Sequence, residues 1–139
     1  MSSVPSLGRL RYLYCGSKNV EEDLKLYTEG LGAELLWKFE YSGTTVGAVR
    51  LGIGPDFLLA DHRPAPSVLP IWEVDDLKTS ENLAEKSGFK VIRKAEVPDG
   101  PVLLLQDPAG NELALLQVVR PGAPEGMAKS FREGSGEDG

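Results

Sequence analysis

The sequence predicts an α+β protein built from two tandem βαβββ modules. Hydrophobic periodicity gives eight strands and two helices, and one order, a strand, a helix and then three strands, occurs twice. The glycines that end the two helices, Gly32 and Gly88, and those in the last hairpins, Gly54 and Gly110, are spaced alike in the two halves. This agreement indicates an internal duplication, because unrelated strand and helix arrangements rarely share such spacing.

The first module is predicted over residues 9–61, after an N-terminal extension at 1–8. A strand over 10–15 is followed by a helix that begins after the N-cap Asn19 and ends at Gly32. Val20, Leu24, Tyr27 and Leu31 form an apolar stripe along this helix. The segment "AELLWKFEY" alternates strictly and predicts a half-buried strand that has Leu35, Trp37, Phe39 and Tyr41 on one face. The turns "SGT" and "GIGPD" then lead into two more strands, "TVGAVRLG" and "FLLAD".

A linker at 62–67 leads to the second module, predicted over 68–119. The segment "LPIWEVD" is its first strand, "DLKTSENLAEKSG" its helix, and "FKVIRKAEV", "PVLLLQ" and "ELALLQVV" its last three strands. The last two are joined by a hairpin turn in which Pro108 fixes one backbone angle, Gly110 takes a positive φ, and Asp107 and Asn111 bond the turn amides. Residues 120–139 are rich in Gly, Pro, Ser and charge, which predicts a flexible tail, with a short helix around 127–132 as the alternative.

Three segments resemble the vicinal oxygen chelate superfamily, which includes glyoxalases, extradiol dioxygenases and bleomycin-resistance proteins. They are "VEEDLKLYTEGLGAEL", "WEVDDLKTSENLAEKSG" and "LLLQDPAGNELALLQ", and the last is the most specific because it carries the Asp-Pro-x-Gly-Asn hairpin. The resemblance covers roughly residues 9–119. It implies that the modules form a curved, cup-shaped mixed sheet with the helices on its outer face. Paired modules come from one chain or from two exchanged chains in this family, and the sequence leaves that choice open.

The resemblance also implies four metal-ligand positions, two in each module, where metal-dependent relatives carry His or Glu. In this sequence these positions fall at Tyr12, Leu58, Leu69 and Ala114. Three of these side chains have no donor atom, and an unperturbed tyrosine phenol has a pKa near 10. We therefore expect neither a metal nor another cofactor. Displaced ligands such as Glu73, Glu112 or His62 are the alternative, although no shift of one residue restores three donors.

An apolar ligand site is predicted instead of a metal site. The expected lining consists of the four positions above together with neighbours that share a strand face with them or could stack on a planar ligand. It comprises Tyr12, Tyr14, Trp37, Leu58, Leu69, Ile71, Ala114 and Leu116. The leading hypothesis is a metal-free protein without catalytic residues that sequesters an aromatic or amphipathic small molecule, as in antibiotic resistance of the bleomycin-resistance type. Two alternatives remain: a glyoxalase-like lyase, isomerase or dioxygenase with non-standard metal ligands, and a dimerising interaction module whose cavity is filled.

Five other residues have both a functional and a structural interpretation. His62, in "ADHRPAP", is either an acid–base group at the rim of the cup or simply solvated. Arg11 and Arg50 either clamp an anion or face outward from their strands. Trp72 is expected in the core, and Cys15 is expected to be a buried structural thiol.

Composition limits the partners. The formal net charge of −6 disfavours nucleic acid and anionic membrane surfaces. It suits a cationic ligand, although soluble proteins commonly carry such a charge. The single cysteine excludes an intramolecular disulfide, and no apolar run approaches the roughly 20 residues of a membrane span. We expect a cytoplasmic homodimer with a small-molecule ligand and no nucleic-acid or membrane partner.

Overall fold

The computed structural model describes residues 7–124. Its eight strands are β1 (Leu7–Gly16), β2 (Glu34–Tyr41), β3 (Thr44–Arg50), β4 (Asp56–Ala60), β5 (Val68–Val74), β6 (Lys90–Val97), β7 (Gly100–Gln106) and β8 (Glu112–Leu116). The α-helices are α1 (Val20–Lys25) and α2 (Leu77–Ser87), and one π-helical turn, Leu26–Gly30, continues α1. The α+β class and the repeated βαβββ order are therefore confirmed.

Two predicted segments fall largely outside the described residues. Of the predicted N-terminal extension only residues 7 and 8 are described, and both belong to β1. Of the predicted tail only 120–124 are described, so the alternative helix around 127–132 lies outside them. Within residues 7–124, no helix has the length and apolar character needed to cross a membrane.

The described chain forms two compact units, and β1 is divided between them. The first unit is Tyr12–Val68, and the second is Leu69–Pro121 together with β1 residues 7–11. In the first unit the strand order is β2-β3-β4-β1, in which β4 runs parallel to β1 and the other neighbours are antiparallel. In the second unit the order is β1-β5-β8-β7-β6, in which β5 and β8 are parallel and β7 is antiparallel to both of its neighbours.

Helix α1 covers one face of the sheet in the first unit. The predicted N-cap is confirmed, because the Asn19 side chain accepts a hydrogen bond of 3.1 Å from the Glu22 amide. The buried core of this face is Cys15, Val20, Leu24, Val49 and Leu59. The helix approaches closely because β3 carries Gly47, where an added Cβ would lie 2.6 Å from a Leu24 methyl group.

Helix α2 covers one face of the sheet in the second unit in the same way. The buried core there is Val74, Ala84, Leu103, Leu105 and Leu115, and Trp72 packs against it as expected. The helix ends at Gly88, whose φ of 110° is the left-handed conformation predicted for a C-terminal stop.

The Asp-Pro-Ala-Gly-Asn segment is the predicted hairpin turn between β7 and β8. Gly110 has a φ of 99°, and its amide donates to the Asp107 carbonyl at 3.0 Å. The Asp107 carboxylate accepts from the Asn111 amide at 2.8 Å and from its side chain at 3.1 Å. These side-chain bonds lower the pKa of Asp107, since they favour its charged form.

Candidate functional site

The candidate site begins on the face of the first unit that lies opposite α1. The strand register places Trp37 opposite Ala48, Ala48 opposite Leu58, and Leu58 opposite Tyr14. Side chains paired in this way share one face of a sheet. They alternate along their strands with the core residues under α1, so they point away from the helix. We call Trp37, Ala48, Leu58 and Tyr14 the aromatic row.

Two further aromatic residues extend the surface of this row. Phe39 lies two residues after Trp37 on β2, and the two rings stack with centroids 5.3 Å apart and planes 14° apart. Tyr12 lies two residues before Tyr14 on β1 and is buried. All four predicted lining residues of the first module, Tyr12, Tyr14, Trp37 and Leu58, therefore share this face. Phe39 was absent from the predicted lining, although the alternation in β2 already placed it beside Trp37.

A β-bulge explains why β2 departs from its predicted alternation. The register shifts between Leu35 and Trp37, so Leu35 pairs with Val49 and Trp37 pairs with Ala48. Val49 and Ala48 are consecutive and point to opposite faces, so the expectation that Leu35 and Trp37 share a face was wrong. The second unit has a bulge at the corresponding place in β6, between Val91 and Arg93. Bulges commonly re-aim side chains in this way.

The aromatic row is closed to solvent along most of its length. Trp37 is 3% exposed and Leu58 is 7% exposed, whereas Tyr14 is half-buried. A molecule that approaches this face therefore meets Tyr14 first.

Two residues of the predicted linker contact Tyr14 at this accessible end. The Tyr14 hydroxyl is hydrogen-bonded to His62 Nε2, and the two ring centroids lie 5.5 Å apart. The Arg63 guanidinium carbon lies 5.8 Å from the centroid of the Tyr14 ring, within the range of a cation–π interaction. We call Tyr14, His62 and Arg63 the Tyr14 cluster. His62 is exposed but not merely solvated, because it is bonded to a side chain of the aromatic row.

A glycine at the end of β1 lets the linker reach Tyr14. The Gly16 amide donates to the Ser67 carbonyl at 3.2 Å. A Cβ on Gly16 would lie 1.9 Å from the carbonyl oxygen of Pro64, which leaves no space for any side chain. The linker therefore runs directly over the end of β1. The sequence offered only a weak signal for this contact, a glycine directly after a strand.

Charged residues lie on the same face, at the opposite end of the strands from the Tyr14 cluster. Arg50 lies opposite Glu34 in the register, and its guanidinium is 3.9 Å from the Glu34 carboxylate and 3.6 Å from that of Asp56. Arg50, which was considered as an anion clamp, thus has two carboxylates beside it. Arg50 is exposed, in agreement with its alternative interpretation.

The second unit carries an aliphatic row on its own helix-free face. Ile71 is in register with Ala114, Ala114 with Leu104, and Leu104 with Arg93. The predicted lining residues of this module share that face and are buried: Leu69, Ile71, Ala114 and Leu116. The exposed Arg93 occupies the place that Trp37 has in the first unit, so within residues 7–124 the row of the second unit lacks an aromatic side chain.

The residues present do not fit a metal ion at the positions that the superfamily uses. Leu58, Leu69 and Ala114 have no donor atoms. The displaced candidates Glu73 and Glu112 are separated, because Glu112 begins β8 and Glu73 is in register with Leu116 at its end, four residues and thus about 13 Å along the strand. The Glu73 carboxylate is paired instead with Arg9 and Arg11. Among residues 7–124 no group of three or more His, Cys, Asp or Glu side chains is placed to hold a metal ion.

Arg11 has a structural role in the second unit. Its Nε donates to the Asp99 carboxylate at 2.8 Å, and its Nη1 lies 3.2 Å from the Glu73 carboxylate. Asp99 is only 1% exposed, so its charge needs this partner. The pairing gives Arg11 a function other than the anion clamp considered from sequence.

Cys15 is buried under α1, as expected. Burial raises the pKa of its thiol, and the nearby Arg63 charge lowers it by a smaller amount. The thiol is therefore a poor nucleophile at neutral pH, which agrees with a structural role.

Similar proteins were found by comparing structures and not by comparing sequences. No family model matches the sequence, and no curated protein matches it. Methylmalonyl-CoA epimerase from Mycobacterium tuberculosis superposes with a TM-score of 0.71 at 12% identity, over 86% of this chain and 94% of that chain. A variant of the Streptomyces coelicolor epimerase, in complex with 2-nitronate-propionyl-CoA, gives a TM-score of 0.69 at 13% identity, over 83% of this chain and 100% of that chain.

A third similar structure is homoprotocatechuate 2,3-dioxygenase from Brevibacterium fuscum in complex with 3,4-dihydroxyphenylacetate. Its TM-score is 0.63 at 16% identity, over 83% of this chain and 38% of that chain. These epimerases and this dioxygenase are members of the vicinal oxygen chelate superfamily. The resemblance found in the sequence is thereby confirmed: the chain has the fold of the vicinal oxygen chelate superfamily.

Proposed function

We propose that the protein binds an aromatic or amphipathic small molecule against the aromatic row, without a metal ion. One observation carries the proposal: Tyr12 and Leu58, which stand where the sequence resemblance implies metal ligands, share their face with Trp37 and Phe39. Metal chemistry would need converging donors there, whereas binding of a planar molecule needs aromatic and apolar side chains such as these.

The structurally similar proteins support a small-molecule ligand. One epimerase structure holds 2-nitronate-propionyl-CoA, and the dioxygenase structure holds 3,4-dihydroxyphenylacetate. Ligand binding is thus a recurring use of this fold. In this chain, residues 7–124 offer no group of three or more His, Cys, Asp or Glu side chains for a metal, so the proposed binding relies on apolar and aromatic contacts.

Stacking alone does not explain a tight complex. An aromatic group that buries about 150–250 Å² gains roughly 4–6 kcal/mol at about 25 cal/mol per Å². A micromolar complex needs about 8 kcal/mol net, after association costs of at least about 4 kcal/mol. The ligand therefore needs polar contacts in addition to the aromatic row.

The two tryptophans provide a matched test of the proposed site. Trp37 belongs to the aromatic row, and Trp72 packs in the core under α2. We expect planar ligands, including planar antibiotics, to quench the fluorescence of a Trp72→Phe variant, whose remaining tryptophan is Trp37. The Trp37→Phe variant, which retains Trp72, should show no quenching and weaker binding in calorimetry. Equal quenching of both variants, or binding unaffected by loss of Trp37, would refute the site.

A second candidate function is an interaction module whose interior is filled by its own side chains. The low exposure of Trp37 and Leu58 favours it, since these residues are buried without a ligand. The two candidates differ in their response to the fluorescence screen. A filled interior predicts that no small molecule in a broad set quenches Trp37.

We also propose that the protein is a homodimer, as members of this superfamily often are. Sedimentation equilibrium should then give twice the chain mass of 15.0 kDa. A mass of 15.0 kDa at micromolar concentration would contradict the dimer and leave the ligand site untouched.

A further inference from the structure

We propose that three exposed leucines between the end of α1 and the start of β2 form the surface through which two copies of this chain associate. They are Leu26, Leu31 and Leu35, and we call them the leucine patch. The proposal rests on the proposed homodimer and names the surface that the dimer uses. Leu26 is 65% exposed, Leu31 is 67% exposed and Leu35 is 53% exposed. The other exposed large apolar side chains of residues 7–124 are scattered along the chain, whereas these three lie within one short segment.

The π-helical turn after α1 brings Leu26 and Leu31 to one side of the helix. In an α-helix, Leu31 would share a face with Tyr27, four residues earlier, which packs against the core under α1. A π-helical turn has hydrogen bonds between residues five apart, so over Leu26–Gly30 the chain places Leu31 one turn after Leu26. A Leu26 methyl group accordingly lies 3.8 Å from the place of a Cβ on Gly30. The last residue of the predicted apolar stripe is thus turned towards solvent.

Leu35 extends the patch onto the edge of the sheet. It follows Leu31 by four residues, so the two Cα atoms lie within about 14 Å of each other. Leu35 pairs with Val49, which is buried under α1, so its side chain lies on the helix side of the sheet. Among residues 7–124, β2 pairs with β3 alone, which puts Leu35 at an edge.

The duplicated module shows that the fold does not need these exposed leucines. Leu31 stands directly before the left-handed glycine that follows the first helix, and Ser87 stands directly before the corresponding Gly88. Leu35 precedes the bulge in β2, and Val91 precedes the bulge in β6. Val91 packs against the core under α2, whereas Leu35 is mostly exposed. Contact with another molecule explains why the first unit exposes leucines at these two places.

The charges beside the patch favour a second copy of the chain as that molecule. Lys25 and Glu29 are both exposed, lie beside leucines of the patch and have opposite signs. A two-fold interface brings the same surface together twice, so a surface with both signs is self-complementary, whereas a surface of one sign repels its copy. Two copies can therefore meet here despite the net charge of −6 that each carries.

Sedimentation equilibrium of Leu31→Glu and of Leu35→Glu tests the patch. Each substitution should raise the dissociation constant of the dimer by about a hundredfold or more, because a two-fold interface would bury the unpaired charge twice. Ile53→Glu is the matched control, since Ile53 is fully exposed between β3 and β4 of the same unit and gains the same charge. This control should keep the wild-type dissociation constant. Circular dichroism of every variant checks that the fold is intact.

Thiol labelling of Leu31→Cys gives a second measurement that does not add a charge. The natural sequence has one cysteine, Cys15, and it is buried, so a maleimide should react first with the introduced thiol. The labelling rate should fall as the protein concentration is raised and dimers form. Ile53→Cys is the control, and its labelling rate should not depend on concentration.

The outcomes separate the patch from the proposed homodimer. Dimers of Leu31→Glu and Leu35→Glu as tight as those of the wild type would overturn the patch and leave the homodimer standing. Equal weakening by Ile53→Glu, or a labelling rate of Leu31→Cys that stays constant while dimers form, would also overturn it. A wild-type mass of 15.0 kDa at every concentration would refute the homodimer, and the patch as its interface would fail with it.

Discussion

At the scale of single residues, Gly16 determines where the linker lies. Its missing side chain lets the Pro64 carbonyl pack against β1, and the two residues before Pro64 are those that contact Tyr14. Gly16→Ala should push the linker away and destabilise the protein by about 1–3 kcal/mol. Urea denaturation of this variant measures the loss of stability.

Gly30→Ala is the matched control for that substitution. An added Cβ at Gly30 would meet its nearest neighbour, a Leu26 methyl group, at 3.8 Å, which is ordinary van der Waals contact. This control should keep the stability of the wild type. Wild-type stability in Gly16→Ala would show that the close contact between Gly16 and Pro64 does not hold the linker in place.

The ion pair between Arg11 and Asp99 yields a second prediction for single residues. Arg11→Met would remove the cation that contacts the buried Asp99 carboxylate, and loss of one partner of a buried pair costs about 3–5 kcal/mol. Arg9→Gln is the comparison, because Arg9 is 68% exposed and pairs with the same Glu73, so its loss should cost less than about 1 kcal/mol. Urea denaturation of both variants measures the difference, and equal costs would contradict the structural role of Arg11.

At the scale of elements, the turn between β7 and β8 depends on the charge of Asp107. Hydrogen bonds from Asn111 lower the pKa of Asp107 below its ordinary value of 3.8. A lowered folded-state pKa means that the added stability is present above pH 3.8 and is lost as the pH falls through the folded-state pKa. Asp107→Asn should therefore be less stable than wild type at pH 6, and the gap should close at low pH.

Thermal unfolding across this pH range checks the prediction for the turn. Glu29→Gln serves as a control, because it removes an exposed carboxylate of the first unit, away from this turn. A gap between Asp107→Asn and wild type that stays constant down to the lowest pH would show that the charge of Asp107 does not stabilise the turn.

Local sequence signals predicted the helices, strands and turns well, but they did not predict the bulges. The Asn19 cap, the Gly88 stop and the Asp107 turn each depend on residues within a few positions of one another, so the sequence alone could identify them. The bulge in β2 could not be read in this way. Leu35 and Leu36 are both apolar, and alternation does not reveal which of two adjacent leucines is the extra residue.

At the scale of the whole molecule, the duplicated order of elements predicted the fold, and the predicted lining of each module was found on one face of its unit. The Tyr14 cluster was only partly foreseen. Tyr14 and His62 were each considered, but they are 48 residues apart, and their contact depends on Gly16 and Pro64 packing across the sequence. Such nonlocal contacts leave no periodic pattern in a single sequence.

The claim that this apolar face binds its ligand without a metal has one direct test. The planar compound that binds most tightly in the fluorescence screen would be titrated calorimetrically into chelator-treated protein and into the same protein supplied with zinc or manganese, with the metal content measured in each sample. We expect the same affinity in both samples and no stoichiometric metal in either. Binding that appears only with one metal ion held per chain, and that disappears on chelation, would contradict the claim.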